Sequence, residues 1–189
     1  MKRLLHMALA GLLLAPVTGS AAPKAKAQAP AQATIAVGQI APWFAGWTLD
    51  QKLINRTKLL KDADASGHLV IFFATWCKPC KKKLKYLSTA REALSTAGVR
   101  LVLVDYAEAP EKVSPFLDDF KGLAPDMVIL DQFGKMSSSF GVTESNNGKE
   151  KARLPLAVLL DGKGQVKAIY DEGEEGKEML DKALALLKK

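Results

Sequence analysis

The sequence predicts an α/β protein with a mixed central β-sheet flanked by helices, and three observations carry that prediction. His68-Leu-Val-Ile-Phe-Phe-Ala-Thr75 is a short, continuous run of β-branched and aromatic residues, the pattern of a buried strand. A long amphipathic stretch follows it, and then a second apolar run, Val99-Arg-Leu-Val-Leu-Val-Asp105. Strand, helix, strand in that order reads as a right-handed βαβ unit with two parallel strands. Later, Leu156–Leu160 and Gln165–Tyr170 are joined by Asp161-Gly-Lys-Gly164, which reads as an antiparallel hairpin. Parallel and antiparallel pairs in one domain make the sheet mixed.

The chain has 189 residues, 48% hydrophobic and 25% charged, enough for one domain with a proper core. Residues 1–22 read as a secretory signal. Lys2 and Arg3 lead an apolar run from Leu4 to Val17, and small residues, Thr18-Gly-Ser-Ala-Ala22, close it. That run is short for a bilayer span, which favours cleavage over a retained membrane anchor. Residues 23–36, rich in Ala, Pro, Lys and Gln, read as a flexible tether. The domain is expected over 37–189.

Within it, Ala45–Asp50 and Lys52–Leu60 are expected to form an N-terminal hairpin, with Trp43 and Trp47 as core or groove wall. The helix after the first long strand is expected over Lys78–Ala97. Its Leu84, Leu87 and Leu94 fall on one face, and Gly98 is the stop. Lys81, Lys82, Lys83 and Lys85 fall mostly elsewhere and oppose the helix dipole; they read as a solvated face, and also as a positive field that with Lys78 favours the Cys77 thiolate and attracts acidic partners. A second helix is expected over Glu111–Phe120, with Pro115 in its first turn or at a kink. A short strand over Asp126–Asp131, a brief helix over Gln132–Phe140 and a polar loop over 143–153 follow, and a helix over Glu174–Leu187 closes the chain.

The chemistry is expected at Trp76-Cys77-Lys78-Pro79-Cys80. The strand-to-helix junction puts Cys77 at the first turn, where unpaired N–H groups and the positive end of the dipole favour a thiolate. Pro79 suits a first turn, having no N–H to lose, and Lys78 adds positive charge beside Cys77. Two cysteines so placed can alternate between dithiol and disulfide. Half of a zinc site and a purely structural disulfide are the other readings. Zinc wants four ligands, and the only further histidines or cysteines are His6, in the leader, and His68, at the far end of the strand. Net charge is +7, with acids and bases interleaved and no nucleic-acid motif, so no nucleic-acid partner is expected.

These motifs together resemble the thioredoxin superfamily, and within it the exported TlpA/ResA-like thiol–disulfide oxidoreductases. The carriers are Val37-Gly-Gln-x-Ala-Pro-x-Phe44, Ile71-Phe-Phe-Ala-Thr-Trp-Cys-Lys-Pro-Cys80, Phe140-Gly-Val142, and Leu154-Pro155 with Val158-Leu-Leu-Asp-Gly-x-Gly164. The resemblance implies a three-layer thioredoxin-like fold. It makes Cys77 the nucleophile, Cys80 the resolving cysteine, Pro155 a cis-proline facing the disulfide and Trp76 a shield over it. It further implies a periplasmic monomer that reduces protein disulfides, needs no cofactor beyond its cysteine pair, and is re-reduced by a membrane electron donor. Apocytochrome c is one candidate substrate. A DsbA-like oxidant shares the fold and cysteines, and a copper carrier is a more distant alternative. A peroxiredoxin-like peroxidase lacks support, because its proline–threonine–cysteine signature is absent: Thr75 stands two residues before Cys77. Two departures stand out. Ile71 occupies the place of thioredoxin's buried aspartate, and Lys83 that of a glutamate some relatives carry, so the sequence names no proton acceptor for Cys80.

Overall fold

The computed structural model describes residues 35–146, 149–171, 173 and 176–187. The signal expected over 1–22, and residues 23–34 of the tether expected over 23–36, lie outside them. Ile35, inside the stretch expected as tether, is already buried in the core.

The sheet is built around β3 (Gly67–Phe73), every residue of which is buried. It pairs in parallel with β4 (Val99–Tyr106), which pairs in parallel with β5 (Met127–Asp131). On the other side of β3 lies the antiparallel β8 (Leu156–Asp161), followed by the antiparallel β9 (Val166–Tyr170). The Asp161 carboxylate accepts the N–H groups of Lys163 and Gln165 at 2.9 Å each, which shapes the turn between them. β1 (Ala45–Thr48) extends the far side by pairing antiparallel with β5, and β2 (Leu53–Asn55) pairs with β1. The sheet order is therefore β2-β1-β5-β4-β3-β8-β9, mixed as expected.

Helices cover both faces. Right-handed crossovers from β3 to β4 and on to β5 put α2 (Lys78–Thr96) and α3 (Pro110–Asp118) on one face. There Phe73 stacks on Phe116 of α3, ring centroids 5.8 Å apart. α5 (Gly176–Leu187) packs beside α2. Phe72 points the other way and meets Phe140 at 5.1 Å, at the end of α4 (Lys135–Ser139). The period-2 alternation of β3 thus feeds two aromatic clusters, one per layer. Gly98, at φ +68°, ends α2 where it was expected, in a conformation other residues adopt at a cost.

Several local expectations change. The second N-terminal strand stops at Asn55, whose side chain caps the short α1 (Arg56–Leu59) by accepting the Lys58 N–H at 2.9 Å. Trp43 and Trp47 are 63% and 56% exposed, so they are not core; Phe44 is the buried aromatic of that segment. Pro115 is the sixth residue of α3, in its second turn rather than its first. The expected helix over 132–140 begins only at Lys135. Gly134 N–H closes a turn on Asp131 O, and the Asp131 carboxylate then takes the N–H groups of Met136 and Ser137. The polar stretch 143–153 is not a loop: β6 (Thr143–Asn146) and β7 (Lys149–Ala152) pair antiparallel as a separate hairpin. The stretch shows no apolar alternation, and so no period marked its strands.

Candidate active site

The end of β3 releases the chain at Ala74, and Cys77 becomes the N-cap of α2. Its own N–H bonds Ala74 O at 3.1 Å, while its sulfur accepts the Cys80 N–H at 3.2 Å. A sulfur is thus satisfying one of the orphan donors of the first turn, the interaction that favours a thiolate once the pair is reduced. Cys77 and Cys80 are joined as a disulfide, with Cα atoms 5.2 Å apart. Lys78 and Pro79 are the first two residues of α2. Cys77 is 4% exposed, Cys80 is fully buried, and Trp76 beside them is 59% exposed. The Leu154–Pro155 peptide bond is cis. Leu156 is in register with Phe72 and Pro155 precedes it, so the proline stands at the same end of the sheet as the cysteines. All six residues singled out from the sequence therefore gather at one end of β3 and β8. His68, by contrast, is buried at the other end, its Nε2 3.1 Å from Leu59 O, and burial holds its pKa below the ordinary value. Among the described residues, no group of three or more His, Cys, Asp or Glu is arranged to hold a metal ion.

The lysines at the start of α2 are not one solvated face. Lys82 and Lys85 are exposed, and the Lys81 ammonium lies 5.6 Å from the centroid of the Phe116 ring. Lys83 is only 5% exposed and donates to Asp171 O at 2.9 Å. It follows Cys80 by three residues, on the same buried face of α2. A cation there favours thiolates and hence the reduced pair. Lys83→Met is expected to lower the reduction potential by on the order of 30 mV, the shift that a tenfold change in a two-electron equilibrium produces. Equilibration of the variant in dithiothreitol buffers would read it, and an unchanged potential would show that the ammonium does not act on the cysteine pair.

Sequence reasoning missed a carboxylate pair at the same end of the sheet. Asp105, near the end of β4, is in register with Phe73 and fully buried. Its Oδ2 accepts the Glu108 N–H at 3.0 Å. Glu108 in turn accepts the Thr75 N–H and, at 2.7 Å, the Thr75 hydroxyl. Burial, aided by the charges of Glu108 and Asp131 and opposed by the Glu108 N–H, pushes the Asp105 pKa up to about 7. The only trace in the sequence was an acid after the apolar run Leu101–Val104, three residues before another acid.

A disulfide at the N-terminus of a helix, delivered by the central strand of a mixed sheet and accompanied by a cis-proline, defines a thioredoxin-superfamily protein. The chain belongs to the Redoxin family, whose sequence model matches residues 19–187. It is a ResA-like thiol–disulfide oxidoreductase. It is 30% identical over 149 residues to the thiol-disulfide oxidoreductase ResA of Bacillus thuringiensis subsp. konkukian, covering 78% of this chain and 76% of that protein. To the ResA of Geobacillus kaustophilus it is 27% identical over 154 residues, 82% of this chain and 79% of that one. Among solved structures, the thioredoxin domain of a thiol-disulfide oxidoreductase from Bacteroides vulgatus superposes with a TM-score of 0.64 at 18% identity, over 82% of this chain and all of that one. Peroxidoxin BcpB from Mycobacterium tuberculosis reaches the same TM-score at 18% identity, over 80% of this chain and 96% of that one. At such identities these two speak to the fold alone.

Proposed function

We propose that this oxidoreductase is exported to the periplasm and works there as a reductant of protein disulfides. The Cys77 thiolate attacks a substrate disulfide, and a mixed disulfide forms as one substrate sulfur leaves as a thiolate. Cys80 then attacks Cys77, the Cys77–Cys80 bond forms, and the substrate departs as a dithiol. The oxidised pair is reduced again by a dithiol donor in the membrane. In this reading Trp76 and the cis-Pro155 border the bound substrate strand, with the backbone edge beside Pro155 free to pair with it. Lys78 and Pro79 shape the turn that activates Cys77. The chain acts as a monomer, with no cofactor beyond the cysteine pair and no nucleic acid, and apocytochrome c is one substrate class that fits.

The observation that carries this reading is the Cys77–Cys80 disulfide at the start of α2, with Cys77 the more exposed of the two sulfur-bearing residues. The apolar leader over 1–22 and the ResA relatives support export. Among the described residues no helix is long and apolar enough to cross a membrane. The test is the reduction potential of the purified protein, with Cys77→Ser as control. A value near roughly −270 mV is expected for a reductant, whereas one near roughly −120 mV would make it a dithiol oxidant. Lys83, buried beside Cys80, is the observation that favours the oxidant.

A further inference from the structure

We propose that Asp105, held in place by Glu108, is the proton acceptor and donor for Cys80, a task carried by β4 in this chain because neither Ile71 on β3 nor Lys83 on α2 supplies a carboxylate. The inference rests on the thiol–disulfide exchange reading above.

Three observations put Asp105 on the face and at the end of the sheet where Cys80 lies. Its register partner Phe73 shares its face of the sheet, the face crossed by α2 and α3, since partners in parallel strands point the same way. Phe73 stacks on Phe116, and Phe116 in turn lies under Lys81 of the first turns of α2. The fully buried Cys80 belongs to that same end of α2. Next, the carboxylate is anchored to the segment that carries the motif. Asp105 takes the Glu108 N–H, and Glu108 takes both hydrogens of Thr75, two residues before Cys77. Last, Asp105 Oδ1 is buried and has no hydrogen-bond partner. An unpaired oxygen on a buried acid is expensive to keep. A carboxyl that must gain and lose a proton needs the free oxygen.

The charged groups around it suit the exchange. Glu108 faces it from its own loop, Asp131 from the end of β5, and Lys81 stands across the Phe73–Phe116 stack from α2. In the resolving step the Asp105 carboxylate takes the proton of the Cys80 thiol. The Cys80 thiolate attacks Cys77 Sγ, the Cys77–Cys80 bond forms, the bond from Cys77 to the substrate sulfur breaks, and that sulfur leaves with the electron pair. When a dithiol donor reduces the pair, the Asp105 carboxylic acid returns the proton to Cys80.

The test reacts reduced protein with glutathione disulfide and follows, by quenched mass spectrometry across pH, the glutathione adduct on Cys77 and its closure to the disulfide. Asp105→Asn is expected to slow closure about tenfold or more near neutral pH. The adduct should accumulate, the wild-type inflection near neutrality should vanish, and the two proteins should converge in alkali, where Cys80 ionises unaided. Asp105→Glu should restore part of the rate. Closure with an unchanged rate and pH profile in Asp105→Asn, or slowed equally at every pH, overturns the proposal. Failure of the wild-type protein to form an adduct and close it removes the exchange reading itself, and this proposal with it.

Discussion

A Cys80→Ser protein is expected to stall as a covalent adduct with its disulfide substrate, and a Cys77→Ser protein to lose disulfide exchange by on the order of 10³-fold or more. The asymmetry follows from the helix terminus. Cys77 caps α2, keeps some exposure, and receives the Cys80 N–H on its sulfur, so its thiolate is both favoured and reachable. Cys80, one turn in and fully buried, can meet only a sulfur already attached to Cys77. A serine hydroxyl at 77 is no nucleophile at neutral pH, because its anion is scarcely populated there. A serine at 80 leaves the first attack intact and removes the second. Non-reducing electrophoresis of each variant after mixing with a disulfide-bonded protein separates the cases. A Cys80→Ser protein that turned over at the wild-type rate would mean that an external thiol, not Cys80, resolves the adduct.

Oxidised Asp105→Asn protein is expected to be more stable than the wild type above about pH 7, by up to roughly 4 kcal/mol, and level with it below about pH 4. Asp105 is pushed up to about 7 in the folded protein, chiefly by burial, and titrates near its ordinary value of 3.8 when unfolded. Between those values the native state holds a proton that the unfolded chain has released. Native stability therefore falls as pH rises through that window, and at higher pH the folded protein bears the full cost of an ionised, buried carboxylate. Asparagine carries no charge and still offers an oxygen to the Glu108 N–H. Urea unfolding of both oxidised proteins at the two ends of the range would show it. A constant difference at every pH would point to packing instead of charge.

Function in this chain comes from letting local and non-local features meet. The Cys77–Cys80 motif was legible because its chemistry is local: a buried strand, a first turn and two sulfurs three residues apart are all read from consecutive residues. β3 and β4 were equally clear, since strands buried on both faces read as nearly continuous apolar runs. The hairpin of β8 and β9 announced itself through a turn whose aspartate does the bonding. The cis form of Pro155 came from resemblance, as nothing in its neighbours demands it.

Consecutive residues were enough to read the order of elements around the motif, the helix that activates Cys77 and the family. Which charges share the interior with the cysteines emerged only on folding. Lys83 looked like one more surface lysine until the segment after β9 closed over it, and Asp105 like a strand terminus until Glu108 and Thr75 sealed the end of β4. Trp43 and Trp47, expected as core or groove wall, are the opposite case: apolar residues that the core does not take in. Burial is a property of what packs against a residue, and those partners come from distant parts of the chain. The proton chemistry of the site depends on burial, so it emerges only when the chain is folded.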